Sequence, residues 1–385
     1  MHNFIYRNPT KIIFGENQIQ RLRKEIPINS KILILYGGGS IKANGIYDQV
    51  VRALFEHTFI EFGGVPANPE YSILMKAKEV IQKENIDFIL AVGGGSVIDG
   101  AKFLSAASKF KGDAWEMLKT RSKLSEAITI GTVLTLPATG SEMNAGFVIS
   151  KHDTQEKLSM SNPLLYPVFS ILDPHVIKSL PERQIINGIV DAFNHALEQY
   201  MTYPVGADLQ DRFAESILST LIYDAPKVLE NKNNYPACAN FMWSCTMALN
   251  GLISQGVPTD WAIHGIGHEL TALFGIDHAR TLAIIGIPHY RYHLKNKQDK
   301  LAQYAERVWD IKEGSTEEKA KLAIEKTEKF YQSLQVKMRL SDYTENYKGA
   351  AEIIANRFIE RGWIGIGENR MVKPEDVQKI VEMSY

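Results

Sequence analysis

The hydrophobic pattern of this chain changes near residue 178, and that change limits the folds available to it. Before this point, short apolar runs at 31–36, 86–92, 128–135 and 168–172 alternate with amphipathic stretches such as 71–84 and 97–109. Strands that are apolar on both faces and separated by helices are typical of a parallel sheet covered by helices. After it, almost every segment has helical periodicity. We therefore predict an α/β domain at residues 1–178, with a mostly parallel sheet, followed by an all-α domain at 179–385.

Local signals define several further elements. Residues 4–6 and 11–14 flank a Pro-Thr turn, a pattern that suits either an edge hairpin or a strand donated to a neighbouring subunit. Ser315 and Glu318 have the spacing of a capping box, which predicts a helix running towards Ser333. Pro374 suits the first turn of a final helix.

Length and charge exclude several classes of protein. A chain of 385 residues is long enough for two domains, and a net charge of -1 gives no electrostatic reason to bind nucleic acid or an anionic membrane. The two cysteines, Cys238 and Cys245, form no CxxC pair, which fits a reducing compartment. No apolar run resembles a signal peptide or a membrane span. We expect a soluble, cytoplasmic protein.

Three glycine-rich or hydroxyl-rich turns follow predicted strands, at residues 37–40, 93–96 and 135–142. Such turns let backbone N–H groups approach phosphate oxygens at the carboxyl ends of parallel strands, where open α/β sheets bind ligands. None completes a G-x-G-x-x-G or P-loop motif. Glycines that serve only tight turns are the alternative interpretation.

The first of these turns bears on the choice of nucleotide. Residues 36–40 contain no acid to bind an adenosine ribose and repel a 2′-phosphate, which favours NADP(H) over NAD(H). Lys42 is either a partner for that phosphate or a solvated lysine.

Six of the ten histidines fall within about a hundred residues. Asp191 and His195 are four residues apart, as are His264 and His268, so each pair shares one face of a helix. With His278, they supply five candidates for about four positions around a divalent transition metal. An ordinary ion pair between Asp191 and His195, or a core histidine at 268, is the alternative. Spacing alone does not choose between the candidates.

Five motifs together resemble the metal-dependent ("iron-containing") alcohol dehydrogenases, in particular the butanol dehydrogenase and NADPH-dependent aldehyde reductase branch. They are YGGGSIKxxG at 36–45, GGGSVIDGxK at 93–102, TLPATGSE at 135–142, DAFxHxxEQY at 191–200, and HxxxHEL at 264–270 with His278. The resemblance spans essentially the whole chain, and the motifs occur in the family's order.

The resemblance implies a dinucleotide-binding α/β domain, an all-helical metal-binding domain and a homodimer. It implies metal ligation by Asp191, His195, His264 and His278, which leaves His268 as a candidate proton relay. It places Gly37, Gly38, Gly39 and Ser40 at the adenosine end of the nucleotide and Gly94, Gly95 and Ser96 at the pyrophosphate. Thr135 and Thr139 would line the cofactor site.

The expected reaction is hydride transfer between NADPH and a small aldehyde or primary alcohol, assisted by Fe(II) or Zn(II). Two alternatives stay open. Dehydroquinate synthase, a lyase, and glycerol dehydrogenase have a similar architecture. The lyase needs basic residues to bind its phosphate-bearing substrate, whereas the surroundings of the metal motifs here are apolar and rich in histidine. A non-enzymatic nucleotide-binding protein would have a closed, structural metal site.

Overall fold

The computed structural model describes residues 1–385 and divides into two compact units. We call Arg7–Ile185 with Asn231–Asn250 the sheet unit, and Met1–Tyr6, Ile186–Glu230 and Gly251–Tyr385 the helical unit. The parallel α/β region followed by helices confirms the predicted fold class. The division of functional domains between residues 178 and 179 stays a prediction.

The sheet unit contains all eight strands of the chain. They are β1 (Lys11–Phe14), β2 (Lys31–Tyr36), β3 (Thr58–Phe62), β4 (Phe88–Gly94), β5 (Thr129–Leu136), β6 (Gly146–Lys151), β7 (Glu156–Ser161) and β8 (Phe169–Leu172). Six of them form a parallel sheet in the order β1-β8-β5-β4-β2-β3, and β6 pairs with β7 as an antiparallel hairpin. The four consecutive side chains 32–35 of β2 are fully buried, as expected for a strand covered on both faces.

The predicted hairpin between residues 4–6 and 11–14 is wrong within the chain. Residues 1–10 contain no strand, and β1 pairs in parallel with β8. The side chain of Asn8 donates hydrogen bonds to the carbonyls of Met143 and Asn250, at 2.8 and 3.0 Å. These contacts hold Asn8, just before β1, within the sheet unit, whereas Met1–Tyr6 belong to the helical unit. Donation of a strand to another subunit stays a prediction.

Seven helices lie entirely in the sheet unit, and an eighth, longer helix begins there and continues into the helical unit. They are α1 (Leu22–Glu25), α2 (Ser40–Ala43), α3 (Ile46–Ala53), α4 (Tyr71–Glu84), α5 (Gly95–Ala107), α6 (Ala114–Lys119) and, later in the chain, α9 (Tyr235–Ala248); the longer one is α7 (Glu182–Tyr200). Helix α4 has the predicted bounds. Helix α5 begins at Gly95, two residues before the predicted start, so its first turn includes part of the second glycine turn.

The helical unit is built from α7 and seven further helices. They are α8 (Asp208–Glu230), α10 (Ala262–Phe274), α11 (His278–Tyr292), α12 (Leu294–Val308), α13 (Thr316–Ser333), α14 (Ala350–Glu360) and α15 (Pro374–Glu382). The predicted capping box at Ser315 and Glu318 opens α13, and Pro374 opens α15. None of the helices combines the length and the apolar character needed to cross a lipid bilayer.

Candidate metal and nucleotide sites

Helix α7 carries the first two candidate metal ligands on one buried line. Its apolar side chains recur at helical spacing and are buried, at positions 185, 186, 189, 190, 193, 197 and 200. Asp191 and His195, one turn apart, are only 3% and 4% exposed. Because α7 is enclosed on this side, both polar side chains need partners inside the protein.

Helices α10 and α11 supply the remaining candidates. The chain enters α10 through Trp261, whose φ of 62° lies in the left-handed region, and His264 follows in the first turn. Helix α10 ends at Gly275, also left-handed with φ of 66°, which leads directly to α11 and its first residue, His278. A left-handed glycine is a common helix end, and here it turns the chain so that two consecutive helices present histidines.

The structure brings Asp191, His195, His264 and His278 together, and we call these four residues the donor set. One candidate ligand atom from each lies within 4.8 Å of the others. Nε2 of His195 and Nε2 of His278 lie 3.8 and 3.7 Å from Oδ1 of Asp191. The imidazole rings of His195 and His264 are stacked with centroids 4.7 Å apart. Three imidazoles and one carboxylate at this separation could hold one divalent transition metal.

Burial keeps at least one of these histidines, His195, in the neutral form. Desolvation lowers the pKa of His195 to about 4, opposed by the nearby Asp191 carboxylate. The ring is therefore neutral at pH 7, and the neutral ring is the form that binds a metal. Its Nδ1 is buried and has no hydrogen-bond partner.

His268 lies beside the donor set and outside it. Its ring centroid is 6.3 Å from that of His264 and 5.0 Å from that of His278, and it is more exposed than His264. Although His264 and His268 share a helix face, only His264 belongs to the compact group of ligand atoms. This placement favours His264 over His268 as a candidate ligand.

Two carboxylates next to the donor set, Asp277 and Glu198, were not identified as candidates in the sequence. Asp277 occupies the position before α11, but its side chain caps no amide of that helix; it accepts a hydrogen bond from Asn187 at 2.9 Å, and Asn187 in turn accepts from Arg280 at 2.8 Å. Glu198, within the motif of α7, contacts Nδ1 of His264. Glu198 is three residues after His195, and residues i and i+3 share a helix face, so this spacing could have indicated that Glu198 lies near the metal ligands.

Burial has a large effect on Glu198. Desolvation raises the pKa of Glu198 well above its ordinary value, and neighbouring Asp260 acts in the same direction. The amides of Ile263 and His264 and the ammonium of Lys297 oppose this rise. Desolvation is the larger effect, so the net shift of the pKa of Glu198 is upward.

The three predicted nucleotide turns lie at the carboxyl ends of neighbouring parallel strands in the sheet unit. Residues 37–40 follow β2, residues 93–96 join β4 to α5, and residues 135–142 begin at the end of β5. Gly39 has φ of 94°, a conformation that favours glycine. The amides at the N-terminus of α5, at Gly95 and Ser96, suit an anionic ligand because the helix dipole and free N–H groups meet there.

Two of these turns touch each other. A side chain at Gly95 would place its Cβ 2.4 Å from Oγ1 of Thr139, so only glycine fits this contact. Oγ1 of Thr139 also accepts a hydrogen bond from the amide of Ser141 at 3.2 Å. Thr135 lies in the last part of β5 and is partly exposed. The glycine at 95 therefore serves close approach between turns, whatever ligand the turns bind.

An acid that sequence reasoning missed lies beside the first turn. Glu61 of β3 pairs with Lys42 at 2.8 Å and accepts hydrogen bonds from the hydroxyls of Tyr36, at 3.2 Å, and Tyr47. Hydrogen bonds to Glu61 and to Tyr36 raise the pKa of Lys42. Lys42 is thus an exposed lysine in an ion pair. Glu61 is 21 residues beyond Ser40, and only the pairing of β3 with β2 brings it here.

Comparison with known proteins extends these observations to the whole chain. The family model for iron-containing alcohol dehydrogenase matches residues 9–174, and the model for the C-terminal part of the Fe-containing alcohol dehydrogenase family matches residues 185–385. NADPH-dependent aldehyde reductase YqhD of Escherichia coli is 48% identical, covering 99% of each chain. Probable NADH-dependent butanol dehydrogenase 1 of Bacillus subtilis is 41% identical over the full length of both chains.

Solved structures agree with these matches. The crystal structure of YqhD from Escherichia coli K-12 superimposes with a TM-score of 0.98 at 46% identity and covers 100% of this chain and 99% of that one. The predicted resemblance is therefore confirmed along the whole sequence. The chain belongs to the iron-containing alcohol dehydrogenase family, in its butanol dehydrogenase and aldehyde reductase branch.

Proposed function

We propose that the chain is an NADPH-dependent and divalent-metal-dependent aldehyde reductase, which also acts in reverse as an alcohol dehydrogenase. The reaction transfers hydride between C4 of the nicotinamide and a small aldehyde or primary alcohol. The observation that carries the proposal is the donor set, in which four potential ligand atoms from three helices lie within 4.8 Å of one another. Family membership and the named activities of the relatives support it.

We assign Asp191, His195, His264 and His278 as the metal ligands. Their chemistry fits the group: three neutral imidazoles and one carboxylate leave a divalent cation with net positive charge. When bound, the cation supplies Lewis acidity towards a carbonyl oxygen. The family's description favours Fe(II), whereas the Irving–Williams order favours Zn(II) when both are present. Elemental analysis of protein prepared without oxygen decides between them.

Other residues of the helical unit have supporting roles, in transferring a proton to the product and in excluding water from the ligands. His268, which contacts the donor set without belonging to it, is our candidate for moving a proton through a ring nitrogen to the oxygen of the product. The buried apolar side chains of α7 keep water from Asp191 and His195, so the charge of Asp191 acts in a medium of low dielectric constant.

The turns of the sheet unit are our candidates for holding the nucleotide. We assign Gly37, Gly38, Gly39 and Ser40 to the adenosine end, Gly94, Gly95 and Ser96 to the pyrophosphate, and Thr135 and Thr139 to the cofactor site. NADPH is the proposed reductant because YqhD uses NADPH, no acid lies within residues 36–40, and the carboxylate of Glu61 beside this turn is paired with Lys42. NADH is the alternative, which the named cofactor of the Bacillus subtilis relative favours.

We also propose a cytoplasmic homodimer, with residues 1–178 as the nucleotide-binding domain and 179–385 as the metal-binding domain. Strand β1 is at the edge of the six-stranded sheet, and Phe14 at its end is 38% exposed, which suits contact with a second copy. Light scattering during gel filtration measures the mass: about twice 43.3 kDa supports a dimer, and a single-chain mass contradicts it.

An assay of cofactor oxidation tests the proposed activity. Protein loaded separately with Fe(II) and Zn(II) is mixed with NADPH or NADH and a series of small aldehydes, and absorbance of the reduced nicotinamide is followed. Metal-dependent NADPH consumption on addition of aldehyde is expected. Turnover of a substrate without added nicotinamide would instead indicate lyase chemistry, and binding of nucleotide without any turnover would indicate a non-enzymatic protein.

A further inference from the structure

Glu198 of α7 is buried against the start of α10, and both of its carboxylate oxygens are used. The residue is 1% exposed. Oε1 accepts a hydrogen bond from the backbone amide of Ile263 at 2.8 Å, and Oε2 contacts Nδ1 of His264. One carboxylate thus joins the helix that carries Asp191 and His195 to the helix that carries His264.

A second layer of buried contacts fixes the position of Glu198. Its backbone carbonyl accepts a hydrogen bond from the amide of Asp260 at 3.1 Å, and Oδ1 of Asp260 accepts one from the amide of Ala262 at 3.0 Å. Oδ2 of Asp260 pairs with Lys297 at 2.8 Å. Lys297 also pairs with Glu368. Glu198 therefore cannot move away from His264 without disturbing the entry of α10 and a buried ion cluster.

The contact at Nδ1 selects one nitrogen and one tautomer of His264. A metal binds the lone pair of a neutral imidazole, so only one nitrogen can coordinate and the other carries the proton. Because Glu198 is at Nδ1, that nitrogen is the donor to the carboxylate, and Nε2 is the nitrogen directed to the cation. We propose that Glu198 is a positioning residue for metal binding, which acts through His264; this inference rests on the proposed ligand set.

A carboxylate is needed at this position, and an amide cannot replace it. Oε1 of Glu198 accepts a hydrogen bond from the amide of Ile263, and in the proposed tautomer Oε2 accepts one from Nδ1–H of His264. In Glu198→Gln, the oxygen can satisfy only one of these donors. If the amide N–H₂ of the glutamine faces Ile263, it meets the backbone N–H of that residue, which is also a donor. If it faces His264, it donates to Nδ1 and favours the tautomer protonated at Nε2, and Nε2 then cannot bind the metal.

His195 offers a contrast within the same donor set. Its Nδ1 is buried and has no hydrogen-bond partner, so no carboxylate orients that ring. We infer that the affinity for metal depends on the orientation of His264 more than on that of His195. Loss of an outer carboxylate that orients a metal-binding histidine commonly reduces metal affinity by about 10- to 100-fold.

The test compares metal affinity in three proteins. Zinc affinity is measured by competition with a chromophoric chelator for the wild type, for Glu198→Gln and for the matched control Glu215→Gln. Glu215 is also a buried carboxylate on a helix of the same unit, 4% exposed and hydrogen-bonded to Tyr200 at 3.0 Å, but it has no contact with the donor set. The expected result is about a 10- to 100-fold loss for Glu198→Gln and less than about twofold for Glu215→Gln.

A spectrum distinguishes positioning from loss of fold. With Co(II) in place of zinc, Glu198→Gln should shift the visible absorption bands that report ligand geometry, and Glu215→Gln should leave them unchanged. In case Glu198→Gln does not fold, histidine ¹⁵N NMR of the zinc-loaded wild type, with His264 assigned by its loss in His264→Gln, should show the proton on Nδ1. A proton on Nε2 would overturn the proposal.

The outcomes also separate this inference from the proposed function. Failure of the wild type to bind one metal ion would overturn the ligand set and, with it, the role of Glu198. Tight binding by the wild type and equal binding by Glu198→Gln would leave the ligand set intact and overturn this inference alone.

Discussion

Two polar clusters, one in each unit, contrast in the geometry of their members. In the sheet unit, Nζ of Lys102 donates hydrogen bonds to Ser141, Asn144 and the carbonyl of Gly146 at 2.8, 3.0 and 2.8 Å. Ser141 donates to Asp99 at 2.6 Å, and Asp99 also accepts from the amide of Val148 at 3.0 Å. We call this group the lysine cluster.

The donor set has different geometry. Nε2 of His195 and of His278 approaches Oδ1 of Asp191 only to 3.8 and 3.7 Å, longer than a hydrogen bond between these atoms. The four ligand groups come from three helices and converge on one point. A cluster whose atoms donate to and accept from one another stabilises the fold, whereas one whose ligand atoms converge on a common point suits a cation. Both clusters come from motifs of the sequence, and only their geometry separates the two roles.

The largest effect that this contrast predicts is loss of metal from the donor set. Asp191→Ala or His264→Ala should leave the metal site empty and reduce kcat/KM on the order of 1,000-fold, because the Lewis acid contributes several kcal/mol to the transition state. Metal content by elemental analysis and NADPH oxidation with aldehyde measure the two effects. Near-wild-type metal content and turnover in either variant would refute the ligand assignment.

Removal of the ammonium group of Lys102 from the lysine cluster should reduce stability and leave metal binding unchanged. Lys102→Met leaves three acceptors without their buried donor and removes the positive charge near Asp99, so the free energy of unfolding should fall by about 3 kcal/mol or more. Urea denaturation measures this loss. Metal affinity of the folded protein should be unchanged, and a loss of metal comparable to that of Asp191→Ala would remove the distinction between the clusters.

The difference in stability between the wild type and Lys102→Met should also depend on pH. Burial lowers the pKa of Lys102 to about 8 from its ordinary value of 10.5, opposed by Asp99 and Glu142. Between these two pH values the unfolded chain binds more protons than the folded one, so the stability of the wild type relative to Lys102→Met should rise as the pH rises from 8 towards 10.5. A difference in stability that is constant, or falls, over this range would contradict the shift.

His268 should show an intermediate effect, because it contacts the donor set without being part of it. His268→Ala is expected to retain one metal ion per chain and to lose about 100-fold in kcat, the usual range for loss of a general acid or base. Metal analysis and steady-state kinetics are performed on the same preparation. Loss of metal from this variant would show that the wrong member of the 264 and 268 pair was assigned as ligand.

The smallest predicted effect concerns the exposed pair of Lys42 and Glu61. Glu61→Gln should free the ammonium of Lys42 for a 2′-phosphate and raise the NADPH to NADH ratio of kcat/KM, on the order of three- to tenfold. Lys42→Ala, as the opposing control, should lower the ratio. Unchanged ratios in both variants would show that this pair has no part in choosing the nucleotide.

The sequence predicted the parallel sheet well because its strands are apolar on both faces and lie between amphipathic helices. Strand β3 was missed; it is short, only half-buried along its length, and lies at the edge of the sheet, so it lacks that signal. The predicted hairpin at the N-terminus failed because contacts of Asn8 with residues far along the chain outweigh the local turn.

Prediction of the site was limited by distance along the chain. Helical spacing identified Asp191 and His195 as a pair, but it gave His264 and His268 equal standing, and only the packing of α7, α10 and α11 separates them. Glu198 and His264 are 66 residues apart, and no local pattern indicates that they touch. Residues that act through contacts between helices therefore need the folded structure to be found.

The most direct test of the donor set is anomalous diffraction from crystals of the protein loaded with one equivalent of zinc. The account predicts a single peak at the zinc edge, about 2.0 to 2.2 Å from one atom each of Asp191, His195, His264 and His278. No peak at this position, or a zinc ion bound elsewhere while the four side chains keep their separation, would contradict it.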